Sequence, residues 1–159
     1  YTERGSMDAR HWYYEISVLG YKYNMNDLAA SIGLAQLKKL DEMNARRSGI
    51  IKKYLNGIQH CRSIKPLLPY EPDKYAYWIF GVRCNKRDDL IIFLKSKDIA
   101  TGVHYMPLVL HPLFKPYDNG CETAKKIWKT FVTLPLYADL TDRKIDYVID
   151  ALKEFDKKG

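Results

Sequence analysis

An α+β domain, with helices laid against one face of a small sheet, is the fold class the sequence predicts. Three observations predict it. Two amphipathic stripes at helical spacing run through Met43–Ile58 and Ile145–Phe155, and an aromatic, β-branched run occupies Tyr75–Val82. The elements come in the order helix, strand, helix, strand, helix, helix, with too few strands for a sandwich or barrel. A chain of 159 residues has the length of one domain and can bury a core, and 47% hydrophobic with 28% charged residues is ordinary globular composition.

The first nineteen residues are polar and aromatic without periodicity and read as a loop that needs support from elsewhere. Asn26 suits a helix N-cap, and Asp27 complements the dipole of the first turn. The helix that follows is apolar at Leu28, Ala29, Ala30, Ile32, Leu34, Ala35 and Leu37, which covers most of its circumference. Such a helix predicts contact on more than one side. Gly33 and the alanines would let another backbone come close. Beyond it, Met43, Ile50, Ile51, Tyr54, Leu55 and Ile58 form one stripe with a charged opposite face. The pattern leaves open whether these two helices are continuous.

Pro66, Pro69 and Pro72 mark an extended connector. Tyr75–Val82 then reads as a buried strand. Asn85 is placed to cap a helix whose core side is Leu90, Ile91, Phe93 and Leu94, and Ile99–Tyr105 reads as a second strand. Residues 106–120 carry three prolines and predict an irregular loop. A short helix at Glu122–Phe131, the segment TLPLY and a final helix capped by Thr141 complete the order. In that last helix Ile145, Val148, Ile149, Leu152 and Phe155 trace one stripe.

Several function classes are disfavoured by the residues alone. The net charge is +7, but the basic residues are scattered as short pairs (Lys38–Lys39, Arg46–Arg47, Lys52–Lys53, Lys125–Lys126) and not gathered into a phosphate-tracking patch. No nucleic-acid partner is expected, although the positive field suits small anions such as sugar nucleotides. No apolar run approaches the ~20 residues that span a bilayer, so no membrane partner is expected and a cytoplasmic location is the simplest reading. Cys61, Cys84 and Cys121 are odd in number and widely spaced, which suits reduced thiols better than disulfides or zinc ligands. The four histidines show no metal spacing, and the sequence holds no HExxH, nucleophile elbow, phosphate-binding glycine loop or CxxC.

Four ordered segments carry a more specific message. They are Trp12-Tyr13-Tyr14-Glu15, the stretch GYKYNMNDLAASIGLAQLKKL from Gly20 to Leu40, Thr101-Gly102-Val103-His104-Tyr105 with Pro107-Leu108, and Thr133-Leu134-Pro135-Leu136-Tyr137. Together they resemble the aromatic-acidic lead-in, the C-terminal signature, the GVHY-x-PL turn and the closing SLPLY element of the DegT/DnrJ/StrS sugar aminotransferases. The resemblance covers nearly the whole chain. It implies the small C-terminal domain of a fold-type I aminotransferase, its sheet mainly antiparallel and preceded by a long interface helix. Residues 1–23 would then be a loop continuing from a pyridoxal phosphate-binding domain, and residues 24–159 the small domain with its leading helix.

The activity so implied is transfer of an amino group, usually from glutamate, to a keto sugar linked to a nucleotide, in polysaccharide or antibiotic-sugar biosynthesis. Pyridoxal 5'-phosphate supplies the electron sink, and the protein supplies orientation, protonation and charge. Members work as dimers with the cofactor near the subunit interface. Their Schiff-base lysine stands in a Ser/Thr-Lys context before a glycine-rich stretch, and both it and the aspartate facing the pyridine nitrogen precede the region seen here. No such context occurs in these 159 residues, so no catalytic residue is assigned and the chain alone is not expected to bind the cofactor or turn over. The partner implied is a second copy or a lysine-bearing N-terminal half.

Binding roles transfer residue by residue. Lys22 stands where many members have the Asn of a GYNYR motif, a position that reaches the cofactor phosphate of the neighbouring subunit; an ammonium meets phosphate as a point charge. Asn24 replaces the usual arginine, whose role does not carry over, and with Tyr23 it is counted on the substrate side. His104 and Tyr105 occupy the turn near the substrate, either hydrogen bonding to the sugar or nucleotide or simply packing at a strand end. Two other readings stay open: a non-catalytic dimerisation or sugar-nucleotide-binding module, and a related pyridoxamine phosphate-dependent sugar dehydratase.

Overall fold

The structure, a computed structural model, describes residues 2–3, 15–16, 19–21 and 23–158. The chain divides into two compact units, Tyr1–Lys38 and Lys39–Gly159. In the first, the loop expected over the first nineteen residues contains a short antiparallel ladder: β1 (Thr2–Glu3) pairs with β2 (Glu15–Ile16), Thr2 opposite Ile16 and Glu3 opposite Glu15. Trp12, Tyr13 and Tyr14 lie outside the described residues. Helix α1 (Asp27–Leu37) starts as expected, Ala29 donating its N–H to Asn26 Oδ1 at 2.8 Å. No residue of α1 is buried.

The second unit opens with α2 (Leu40–Ile58), so the two helices are separate, divided by a turn at Lys38–Lys39. Ile50, Ile51, Tyr54 and Ile58 of its stripe are buried; Met43 and Leu55 are half-buried. The sheet runs β3 (Ile64–Pro66), β4 (Phe80–Cys84), β5 (Phe131–Leu134), in that spatial order and antiparallel throughout. Helix α3 (Arg87–Lys95) lies between β4 and β5 in sequence, α4 (Glu122–Thr130) leads into β5, and α5 (Asp142–Lys158) closes the chain.

Register explains which face is the core. Phe80 stands opposite Leu134, Val82 opposite Val132 and Cys84 opposite Ile64, and all six join the hydrophobic core with α2, α3 and α5. The other parity of the same strands, Gly81, Arg83, Phe131 and Thr133, points to the opposite face. From α5 the core takes Ile145, Val148, Ile149, Ala151, Leu152 and Phe155. Helices α2 and α5 come close at Gly57, where a Cβ would meet Ile149 Cγ2 at 2.6 Å.

Four local expectations shift. The strand expected at Tyr75–Val82 begins only at Phe80, because Tyr77 instead turns to accept the N–H of Glu71 and to meet Tyr70 edge-on. The proline connector supplies β3, with Pro66 at the end of an edge strand where its missing N–H costs no ladder bond. Helix α3 starts at Arg87 without a side-chain cap, one turn-residue past Asn85. The strand expected at Ile99–Tyr105 reduces to a single bridge between Gly102 and Thr133. The next rungs would pair Ala100 with Pro135, which has no N–H, and His104 with Phe131, whose N–H already bonds Trp128 O. The loop at residues 106–120 holds two short 3-10 turns, Leu108–Leu110 and Pro112–Tyr117. Thr141 stands at the N-cap of α5, accepting the Lys144 N–H at 3.4 Å.

Candidate functional site

The single bridge at the outer edge of β5 is what positions the candidate site. Gly102 donates to Thr133 O at 3.2 Å and accepts from Thr133 N at 2.7 Å. The Thr133 hydroxyl adds a third bond, donating to Gly102 O at 3.0 Å, and lies 2.9 Å from His104 Nδ1. Thr133 is the buried polar residue of this face, 5% exposed. Gly102 is required here by space: a Cβ would sit 2.6 Å from His104 Cε1 and 2.9 Å from Thr133 Oγ1. The imidazole is thus held against the sheet edge by backbone and side chain together.

Two exposed aromatic rings meet this histidine. Tyr105, 70% exposed, packs edge-to-face on it at 4.8 Å, and Trp78, 64% exposed, does the same at 6.0 Å. Trp78 is placed by its neighbours in sequence. Tyr77 is tied to Glu71 N, while Phe80 sits in an aromatic column between Tyr54 (5.1 Å, stacked) and Tyr70 (4.9 Å). Tyr70 closes the column by accepting Gly81 N–H at 2.7 Å, and Tyr54 by donating to Pro135 O at 3.0 Å. Burial pushes the hydroxyl pKa of both tyrosines up, so both serve as neutral structural hydroxyls.

Tyr23 and Asn24 belong to the first unit, just ahead of α1, and both are exposed; the Tyr23 ring lies 5.6 Å from that of Tyr21. Lys22, the expected cofactor-phosphate ligand, lies outside the described residues. Of the residues singled out in the sequence, His104 and Tyr105 are therefore brought into contact within one unit. Thr133 and Trp78 were not singled out. Thr133 could have been suspected from its place at the head of TLPLY, but nothing in the run Tyr75–Val82 separates Trp78 from its packing neighbours.

Chemically, this arrangement can bind and orient but supplies no nucleophile. Burial raises the thiol pKa of Cys61 and of Cys84, which leaves them inert. Among the described residues no group of three His, Cys, Asp or Glu could hold a metal ion. A cavity of about 910 Å³ lies at the C-terminal ends of α2 and α5. Its walls include His60, Arg62, Lys153 and Asp156, and none of the residues singled out for function. No described helix is long and apolar enough to cross a membrane.

A family model for the DegT/DnrJ/EryC1/StrS aminotransferases matches residues 2–153. The chain belongs to that family. Among curated relatives, the spore coat polysaccharide biosynthesis protein SpsC of Bacillus subtilis is 32% identical over 99% of the chain and 42% of its own length. An uncharacterized protein of Methanocaldococcus jannaschii, MJ1066, is 34% identical over 97% of the chain and 41% of its own. The chain thus spans about two fifths of these relatives.

Solved structures agree. The putative sugar aminotransferase Spr1654 of Streptococcus pneumoniae, in its PMP form, superimposes with a TM-score of 0.82 at 28% identity, over 99% of this chain and 42% of that one. DesV of S. venezuelae, solved with a ketimine intermediate, gives 0.77 at 25% identity over 86% of this chain and 40% of that one. The α+β fold with its three-stranded antiparallel sheet is therefore the fold of this part of sugar aminotransferases, and the PMP and PLP forms of Spr1654 place that cofactor in the family.

Proposed function

We propose that this chain is the C-terminal part of a pyridoxal phosphate-dependent aminotransferase that aminates a nucleotide-linked keto sugar, with glutamate as amino donor. It is the substrate-side portion of the site. His104 and Tyr105 bind the sugar or its nucleotide from the edge of the sheet, Tyr23 and Asn24 contribute ahead of α1, and Lys22 serves the cofactor phosphate of a neighbouring subunit in a cytoplasmic homodimer. Residues 1–23 act as the interface segment and residues 24–159 as the small domain with its leading helix. The observation that carries this reading is the His104 ring, fixed by Thr133 and flanked by two exposed aromatic residues, on the turn that resembles the family's GVHY element.

Support comes from two further sides. SpsC is a spore coat polysaccharide biosynthesis protein, which favours a sugar destined for polysaccharide. Spr1654 is known in PMP and PLP forms, which favours pyridoxal phosphate as the cofactor of the whole enzyme.

The test is a reconstitution. The chain joined to a family N-terminal half carrying the lysine is incubated with pyridoxal phosphate, glutamate and nucleotide-linked 3- or 4-keto sugars, and products are read by mass spectrometry. An amino sugar nucleotide is expected, with a loss of about tenfold or more in kcat/KM for His104→Ala. A deoxygenated sugar without nitrogen would make the enzyme the dehydratase. Full activity in His104→Ala would remove the site.

A further inference from the structure

We propose that Thr133 and Gly102 are positioning residues that lock His104 in its Nδ1–H tautomer, so that the site accepts a hydrogen bond from a sugar hydroxyl and disfavours a phosphate oxygen. The inference rests on the sugar-aminotransferase reading and narrows which part of the substrate the site takes.

The tautomer follows from counting protons. Gly102 O is a carbonyl and can only accept; a Thr133 hydroxyl turned to Nδ1 would leave two oxygen lone pairs facing each other across 3.0 Å, so its one proton is assigned to the carbonyl. Thr133 is buried, so water does not offer an alternative partner. Its oxygen therefore faces His104 Nδ1 as an acceptor at 2.9 Å, and Nδ1 must carry the hydrogen. A neutral imidazole has one N–H, which leaves Nε2 as a bare lone pair. Nε2 has no protein partner among the described residues. No buried side-chain nitrogen or oxygen among them lacks a partner, so this atom reaches solvent.

An exposed acceptor chooses its ligand. A hydroxyl donates to it, whereas a phosphate oxygen brings a second lone pair and repels it. Exposed rings of Trp78 and Tyr105 against the same imidazole offer apolar surface for the C–H face of a sugar ring. Gly102 contributes by absence, because any side chain there would occupy the space of the His104 ring or the Thr133 hydroxyl.

The decisive measurement is nitrogen NMR of the ¹⁵N-histidine-labelled 159-residue chain. In the wild type, His104 is expected to show a protonated, pyrrole-like Nδ1 and an unprotonated, pyridine-like Nε2. Thr133→Val keeps the shape and removes the acceptor, so the proton should move to Nε2; Thr133→Ser should restore Nδ1–H. Unchanged signals of the other three histidines report that each variant folds. A wild-type Nε2–H tautomer, or Thr133→Val indistinguishable from wild type, overturns the proposal. None of these readouts needs substrate, so their failure is separate from failure of the aminotransferase reading. In the reconstituted enzyme, Thr133→Val should raise KM for the sugar nucleotide about tenfold with kcat little changed. A fall in kcat at constant KM would instead refute sugar recognition by this residue pair.

Discussion

Helices α1 and α5 are both rich in apolar residues, and the chain treats them in opposite ways. In α5 the apolar residues fall on one side and are buried, Ile145 and Leu152 completely. In α1 they surround the axis, and Leu28, Ile32, Leu34 and Leu37 remain 58 to 74% exposed. The difference is one of distribution and not of content. A one-sided stripe can be satisfied by a core on that one side, here shared with α2, α3 and the sheet. A helix apolar all round needs partners on several sides, and no residue of α1 is buried.

The sharpest way to break the comparison is to remove a side chain that α5 buries. Leu152 sits fully buried in the core shared with α2 and α3. Leu152→Ala should destabilise the chain by about 2–5 kcal/mol, through lost transfer energy and the cavity left behind. Urea unfolding followed by circular dichroism measures it. A loss of under about 1 kcal/mol would mean that α5 is not the structural helix its burial makes it.

The same contrast explains what could be read from the sequence. Where one stripe met one core, as in α2 and α5, periodicity located the helix and its buried residues together. The strands were less legible. Tyr75 to Ile79 have strand composition, yet Tyr77 gives its hydroxyl to a turn and the ladder begins at Phe80. Ile99–Tyr105 also has strand composition, but pairing is decided by its neighbour: Pro135 lacks one N–H and Phe131 spends another on Trp128. For the candidate site, His104 and Tyr105 were singled out through resemblance to a family motif. Thr133 was not, because its role comes from a contact across 29 residues of sequence that no local pattern carries.

A smaller effect tests the outer face of α5. Glu154 bonds Lys158 at 2.7 Å and Lys97 at 2.8 Å, and these contacts, Lys158 first, hold its carboxyl from the ordinary 4.5 down to about 2. A depressed carboxyl contributes stability above its unfolded value and loses it as pH falls through the folded one. The contribution should therefore fade between about 4.5 and about 2. Glu154→Gln is expected to flatten the pH dependence of the unfolding midpoint in that window and to leave its slope at neutral pH unchanged. Exposed pairs are worth little, so the change ranks well below the Leu152 effect. An identical acid profile in the variant would show that the pair does not form in solution.

The smallest expected effect is the most informative about α1. Leu34 is 64% exposed, so Leu34→Ala removes few contacts from this chain and replaces leucine with the best helix former. The expected change in unfolding free energy is within about 0.5 kcal/mol, where most surface substitutions fall. A loss matching that of Leu152→Ala would break the comparison, since it would require Leu34 to be covered in this chain. In the reconstituted enzyme the proposed role of α1 as an interface helix makes the opposite demand. There Leu34→Ala should cost a few kcal/mol of the buried-leucine kind, seen as a lower midpoint or as weaker subunit association. A helix neutral in the chain and costly in the assembly is one whose sequence was shaped by its partner, which is what an apolar surface without a stripe implies.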